Sequence, residues 1–182
     1  MKVPSEERIG EIIESNGFRR EVAMDDFSVA CKAIRSSMMS GKGILMTGRC
    51  GCGKTLLMRI LHKTCTHPKY WYSCSSDDSL WLLDPRQNRN ILDSYNEYPF
   101  IDDLGTEVKT EYGRRTDYVA DYIRNFHDRA YETNKMRMFV TTNLSSAEML
   151  DLYDERVLDR LMDMCVVLKF GGRSHRSREV VS

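Results

Sequence analysis

The sequence lacks an excess of either charge, a long apolar run and a signal-peptide stretch. Its 182 residues include 27 Lys plus Arg and 27 Asp plus Glu, so the net charge does not indicate bulk attraction to nucleic acid. Any DNA contact therefore needs a local basic patch. No apolar run approaches the roughly 20 residues that cross a bilayer, and the N-terminus is acidic. We expect a cytoplasmic protein that does not associate with a membrane.

The sequence also lacks a paired CxxC framework, although it contains six cysteines. That absence favours reduced thiols over a disulfide scaffold. Cys50 and Cys52 lie in a glycine-rich segment, where a disulfide or a zinc ion would obstruct a ligand. His62, Cys65 and His67 are close in sequence but have no second ligand pair at structural-zinc spacing, so we predict no zinc site.

Segments with strand and helix character alternate along most of the chain. The predicted strands are 43–47, 70–74, 99–103, 137–142 and 165–170. The predicted helices are 5–15, 25–40, 54–66, one or two short helices in 76–94, 114–133, 147–153 and 154–164. This alternation predicts an α/β fold with a five-stranded parallel sheet and helices on both faces.

A glycine-rich segment between the first strand and the next helix fits the pattern G-x-x-x-x-G-K-[ST]. Its candidate nucleotide-binding residues are Gly48, Arg49, Cys50, Gly51, Cys52, Gly53, Lys54, Thr55 and Leu56. Glycines let backbone N–H groups surround phosphate oxygens, and the following helix adds the partial positive charge of its N-terminus. Lys54 is predicted to reach the β- and γ-phosphates of ATP and Thr55 to hold Mg²⁺. The alternative is a glycine-rich turn without a ligand.

Polar side chains end the third and fourth predicted strands. Asp102 is predicted to hold Mg²⁺, and Asp103 to orient the water that attacks the γ-phosphate. Asp103 is one methylene shorter than glutamate, which leaves a nucleotide-binding switch with little turnover as an alternative. Asn143 can hydrogen-bond the attacking water or the γ-phosphate. The alternative is that Asn143 or Ser145 only caps the next helix.

Two arginines, Arg156 and Arg160, lie four residues apart and share a face of the predicted helix 154–164. Such a pair suits an arginine finger, which stabilises transition-state charge on a neighbouring subunit's ATP. The alternative is a solvated helix face on which Arg156 pairs with Asp159 and Arg160 pairs with Asp163.

Other arginines are candidates for contact with DNA. Arg114 and Arg115 lie at the predicted start of a helix, where cations oppose the helix dipole. We therefore predict that they face phosphate, of DNA or of a neighbour's ATP, with a solvated loop as the alternative. Arg173, Arg176 and Arg178 are a second candidate patch near the C-terminus.

Several further segments follow the phosphate loop in a fixed order. They are 101–107 (IDDLGTE), 141–144 (TTNL), 155–161 (ERVLDRL) and 172–176 (GRSHR). Together with the loop they resemble the DnaC/DnaI helicase-loader and IstB-like group of AAA+ ATPases, over residues 18–178. The resemblance implies a P-loop AAA+ core without a large C-terminal lid and a Mg²⁺-dependent ATPase. It also implies that Arg160 is the arginine finger and that Arg176 approaches the nucleotide.

The resemblance further implies oligomeric assembly with ATP, contact with single-stranded DNA and a replicative helicase as partner. We therefore expect a helicase loader in DNA replication. The alternatives are an IstB-like transposition helper with a transposase as partner, a nucleotide-binding switch, and a small-molecule P-loop kinase. The Asp102–Asp103 pair and Asn143 argue against the kinase.

The same resemblance sets the expected domain boundaries. We predict a helical extension at 1–17, an ATPase domain at 18–178 and a tail at 179–182. Phe18 and Val22 precede the core, where a base contact would fit. Loaders usually carry a separate helicase-binding domain before the ATPase core, and about 47 residues precede the phosphate loop here.

Overall fold

The computed structural model describes residues 3–18, 24–67, 69–75, 98–107, 109–110, 113–133 and 137–171. In chain order, the elements are α1 (Glu6–Ser15), α2 (Met24–Ser40), β1 (Gly43–Thr47), α3 (Lys54–Thr64), β2 (Lys69–Ser73), β3 (Tyr98–Leu104), β4 (Lys109–Thr110), β5 (Gly113–Arg114), α4 (Arg115–Thr133), β6 (Phe139–Thr142), α5 (Ser146–Leu152), α6 (Glu155–Met164) and β7 (Cys165–Lys169).

Five of the strands form one parallel sheet in the order β2-β3-β6-β1-β7. Strand β1 is therefore central, with Thr47 level with Thr142 of β6 and with Lys169 of β7. Because the strands are parallel, the carboxyl ends of β1, β3 and β6 meet at one edge of the sheet. The phosphate loop, the acidic pair and Asn143 follow these strands, so they gather at that edge.

The sheet has an apolar core on each face, because successive side chains of a strand point to opposite faces. Ile44 and Met46 belong to the core under α1, α2 and α3. Leu45, between them, belongs to the core under α4, α5 and α6. The predicted α/β fold, with a five-stranded parallel sheet and helices on both faces, is confirmed.

The ends of the predicted elements lie within two residues of the observed ends. The fourth sheet strand begins at Phe139 instead of residue 137. The antiparallel hairpin of β4 and β5 was not predicted, because two-residue strands are too short to show a period of two. The short helices predicted within 76–94 lie outside the described residues.

The described helices also bear on two expectations, which concern a membrane span and a C-terminal lid. Among the described residues, no helix combines the length and the apolar character that a membrane span requires. Strand β7 is the last described element, and the part of the chain that the structure describes includes no large helical lid.

Candidate functional site

The phosphate loop joins the end of β1 to the start of α3, and its glycines adopt conformations that other residues rarely adopt. Gly48, Gly51 and Gly53 have φ of +145°, +82° and +102°. A Cβ on Gly48 would also lie 2.7 Å from the backbone oxygen of Phe170. The loop therefore requires glycine both for its backbone angles and for its close contact with the chain after β7.

Helix α3 begins without a side-chain cap. Helices α1, α5 and α6 each have a capping side chain, of Ser5, Ser145 and Asp154 respectively, that accepts a hydrogen bond from a backbone N–H of the first turn. By contrast, Gly53 precedes α3, no side chain caps this helix, and its first turn contains no acidic residue. The N–H groups and positive dipole end of α3 are thus arranged for an anion that no described side chain supplies.

Lys54 is the first residue of α3 and is almost completely buried, with 4% of its surface exposed. Its Nζ donates a hydrogen bond to Asn143 Oδ1 at 2.8 Å. It also donates to Gly48 O at 2.7 Å, to Arg49 O at 2.9 Å and to Cys52 Sγ at 3.6 Å. The structure therefore brings the predicted lysine and the predicted amide into direct contact.

Thr55 and Asp102 are also brought together. Thr55 Oγ1 donates to Asp102 Oδ1 at 3.0 Å, and the hydroxyl of Thr141 donates to the same oxygen at 2.6 Å. A hydroxyl and a carboxylate oxygen side by side are the hard ligands that Mg²⁺ prefers, and Mg²⁺ usually takes few protein ligands beside water and phosphate. The residues present therefore fit a magnesium ion.

Sequence reasoning missed Thr141. It is completely buried in β6, between the two acidic residues: its hydroxyl donates to Asp102 and accepts the backbone N–H of Asp103 at 2.9 Å. A buried hydroxyl needs hydrogen-bond partners. A threonine near the end of an otherwise apolar strand was therefore the feature of the sequence that could have indicated a polar contact at this place.

Asp103 lies where β3 departs from regular pairing. The register between β3 and β6 shifts between Ile101 and Leu104, as at a β-bulge. Asp103 itself has φ of +57°, a left-handed conformation that is uncommon outside glycine. Bulges and strained residues of this kind occur at functional sites, where they aim a side chain.

The two predicted roles at the end of β6 fall on different residues. Ser145 caps α5, because its hydroxyl accepts the N–H of Glu148 at 3.3 Å while the Glu148 carboxylate accepts the N–H of Ser145 at 2.7 Å. The N–H and the hydroxyl of Ser145 both donate to the Glu148 carboxylate, and these two bonds lower the pKa of Glu148. Asn143 contacts Lys54 instead of capping the helix.

Arg160 does not pair with Asp163 of α6, which was the alternative to an arginine finger. Its guanidinium Nη2 lies 2.9 Å from Asp128 Oδ1, on the neighbouring helix α4. Asp163 instead pairs with Lys42 at 3.5 Å and with His127 at 3.1 Å. No described contact joins Arg160 to the phosphate loop of its own chain, so its role as an arginine finger stays a prediction.

Phe18 lies against the loop. It is buried, and its ring carbon Cε2 would lie 3.5 Å from a Cβ built on Gly53. The described end of the segment that follows α1 therefore lies beside the phosphate loop.

Other predicted residues cannot be placed. The side chains of Arg114 and Arg115 lie outside what the structure describes, although their backbones belong to β5 and α4. Val22, Arg173, Arg176 and Arg178 lie outside the described residues altogether.

The sheet order, the glycine-rich loop after the central strand and the acidic pair at the end of β3 match the α/β fold of AAA+ P-loop domains. Solved structures share this fold. A crystal structure described as a DNA replication initiation factor has a TM-score of 0.57 at 15% identity, over 86% of this chain and 48% of that one.

Two further neighbours are structures of DnaA. The replication initiator DnaA bound to AMPPCP and single-stranded DNA has a TM-score of 0.53 at 12% identity, over 85% of this chain and 51% of that one. AMPPCP-bound DnaA from Aquifex aeolicus has a TM-score of 0.51 at 14% identity, over 79% of this chain and 45% of that one.

The chain thus spans about half the length of these neighbours. No protein-family profile and no curated protein matches it in sequence. At such low identities the likeness concerns the fold alone.

Proposed function

We propose that this chain binds Mg·ATP in the loop 48–55, hydrolyses it, and acts in DNA replication as a helicase loader. The observation that carries the ATP site is the start of α3. A helix without a side-chain cap, preceded by a glycine loop and opened by a buried lysine, supplies a concentrated set of donors for phosphate.

Each residue has a chemical task in this proposal. Lys54 exchanges hydrogen bonds with loop carbonyls for hydrogen bonds with phosphate oxygens, which are stronger because both partners are charged. Thr55 and Asp102 hold Mg²⁺, which when bound neutralises charge on the β- and γ-phosphate oxygens. Asp103 orients the attacking water, and Asn143 hydrogen-bonds the water or the γ-phosphate.

The role in replication is supported by two separate arguments. The neighbours in fold are described as replication initiation proteins, two of them bound to AMPPCP and one of those also to single-stranded DNA. The sequence segments resemble helicase loaders. In this proposal the chain assembles with ATP and contacts single-stranded DNA, Arg160 completes the site of the adjoining subunit, and Arg176 approaches the nucleotide.

The test of the ATPase is the variant Asp103→Asn. We expect the wild type to release phosphate from Mg·ATP, and the variant to release it at least about tenfold more slowly while its Kd for Mg·ATP changes by less than about threefold. Calorimetry and a phosphate-release assay, with and without single-stranded DNA, measure both quantities. Asp151→Asn, an exposed carboxylate on α5, is the control.

Two results of that assay would contradict the proposal at different points. Normal Mg·ATP binding without turnover by the wild type would favour the nucleotide-binding switch. Phosphoryl transfer to a nucleoside would favour the kinase.

The partner is tested by capture. Because Asp103→Asn is expected to keep ATP bound, the immobilised variant should retain a replicative helicase with Mg·ATP and release it with Mg·ADP. Retention of a transposase in place of the helicase would favour the IstB-like alternative. Retention of neither under Mg·ATP would count against loading while leaving the ATPase proposal unaffected.

A further inference from the structure

A polar cluster near the end of β3 takes no part in the proposed phosphate contacts. We call Cys74, Glu107 and Tyr153 the Glu107 cluster. The hydroxyl of Tyr153 donates to Glu107 Oε1 at 2.5 Å, and the N–H of Gly105 donates to the same oxygen at 3.3 Å. Cys74 is fully buried, and Tyr153 is 9% exposed. The cluster therefore ties the turn after β3 to the turn between α5 and α6.

Water has only partial access to this arrangement, because Glu107 is half-buried and its neighbours Cys74 and Tyr153 are buried. The second carboxylate oxygen, Glu107 Oε2, is also buried. Burial and the charge of Glu107 raise the pKa of Tyr153, so its hydroxyl stays a neutral donor. Burial and the same charge raise the pKa of Cys74, which also lies within the field of both acidic residues of β3.

The hydrogen bond also joins two strained places in the backbone. Within the described part of the chain, Asp103 and Asp154 are the non-glycine residues with positive φ, at +57° and +145°. Asp103 lies in the turn that Glu107 closes, and Asp154 directly follows Tyr153 and caps α6. Strained conformations persist only when surrounding contacts hold them.

The turn that contains Asp103 is held at several points. The carbonyl oxygen of Asp103 accepts the N–H of Thr106 at 3.1 Å and its hydroxyl at 2.7 Å. Two residues after Asp103, Gly105 has φ of +100° and donates to Glu107. Without the bond to Tyr153, Glu107 and the turn that it closes would lose their connection to the α5–α6 junction.

We infer that Glu107 and Tyr153 are positioning residues for Asp103: their hydrogen bond holds the strained turn in the geometry in which the Asp103 carboxylate aims the attacking water. This inference rests on the proposed ATPase activity. We expect the Glu107 cluster to affect the chemical step and not nucleotide binding, because no member of the cluster hydrogen-bonds to a described residue of the loop 48–55.

Tyr153→Phe is the sharpest variant, because it removes one hydroxyl and keeps the ring that fills the core. We expect kcat for ATP hydrolysis to fall about tenfold, since small displacements of an orienting group cost much of the rate, while the Kd for Mg·ATP stays within about twofold. Glu107→Ala should lower kcat as much. Glu107→Gln keeps an oxygen that accepts the Tyr153 hydroxyl, so it should retain within about threefold of the wild-type kcat.

Tyr131→Phe is the matched control, because Tyr131 is 70% exposed on α4. Thermal unfolding of every variant separates a change of stability from a change of rate. A Tyr153→Phe protein with wild-type kcat, alongside an inactive Asp103→Asn protein, would overturn this inference alone. So would a parallel loss of kcat and of Mg·ATP affinity, or a lower Tm with unchanged kcat. A wild type without turnover would overturn the hydrolysis proposal and this inference together.

Discussion

Lys54→Met is expected to weaken Mg·ATP binding by about a hundredfold or more. A charge-assisted hydrogen bond contributes about 1.5–3 kcal/mol, and each 1.4 kcal/mol corresponds to about tenfold in affinity. The methionine side chain keeps a stem of similar length, so it still fills the space that the buried Lys54 occupies between the loop and β6. Isothermal calorimetry with Mg·ATP measures the change.

The control is Lys63→Met, which makes the same change at an exposed position in the last turn of the same helix. It should bind Mg·ATP within about twofold of the wild type, because its charge is screened by water. A Lys54→Met protein that unfolds at the wild-type temperature and binds within about threefold of the wild type would remove Lys54 from the phosphate site. The proposal for the loop 48–55 would then fail.

The part of this site that the sequence predicts is the part determined by local signals. Strand β1 was predicted with its observed bounds, because an apolar run followed by glycine is a local pattern. The start of α3 at Lys54 follows from the loop motif itself. Asp102 and Asp103 lie at the same edge of the sheet as the loop, because the carboxyl ends of parallel strands share one edge. The alternation of strands and helices in the sequence predicts such a parallel sheet.

The contacts that the sequence did not reveal join residues far apart in the chain. Lys54 and Asn143 are 89 residues apart, and Glu107 and Tyr153 are 46 apart. Helical periodicity relates only neighbours three or four positions away, so it favoured a partner for Arg160 on its own helix. The observed partner lies on α4. Such pairings depend on how the helices pack against each other, which no local pattern determines.

Gly43→Ala is expected to destabilise the fold by about 3 kcal/mol. A Cβ at this first residue of β1 would lie 1.8 Å from the backbone oxygen of Met138. That oxygen is already fixed, because it accepts the N–H of Ile44 at 3.1 Å and the thiol of Cys165 at 3.1 Å. Backbone must therefore move at the centre of the sheet. Denaturant unfolding followed by circular dichroism measures the loss.

Gly41→Ala provides the comparison, because Gly41 has φ of +75° but nothing within 4 Å of a Cβ. It should cost about 1 kcal/mol from backbone strain alone. Equal losses of unfolding free energy for the two variants would show that the backbone at Met138, just before β6, moves to accommodate the added methyl group. Gly43 lies at the opposite end of β1 from the phosphate loop, so Mg·ATP at a hundred times its Kd should stabilise Gly43→Ala and the wild type alike, by about 2.7 kcal/mol. A smaller gain in the variant would mean that a shift of β1 reaches the loop, and that the position of the central strand controls phosphate binding.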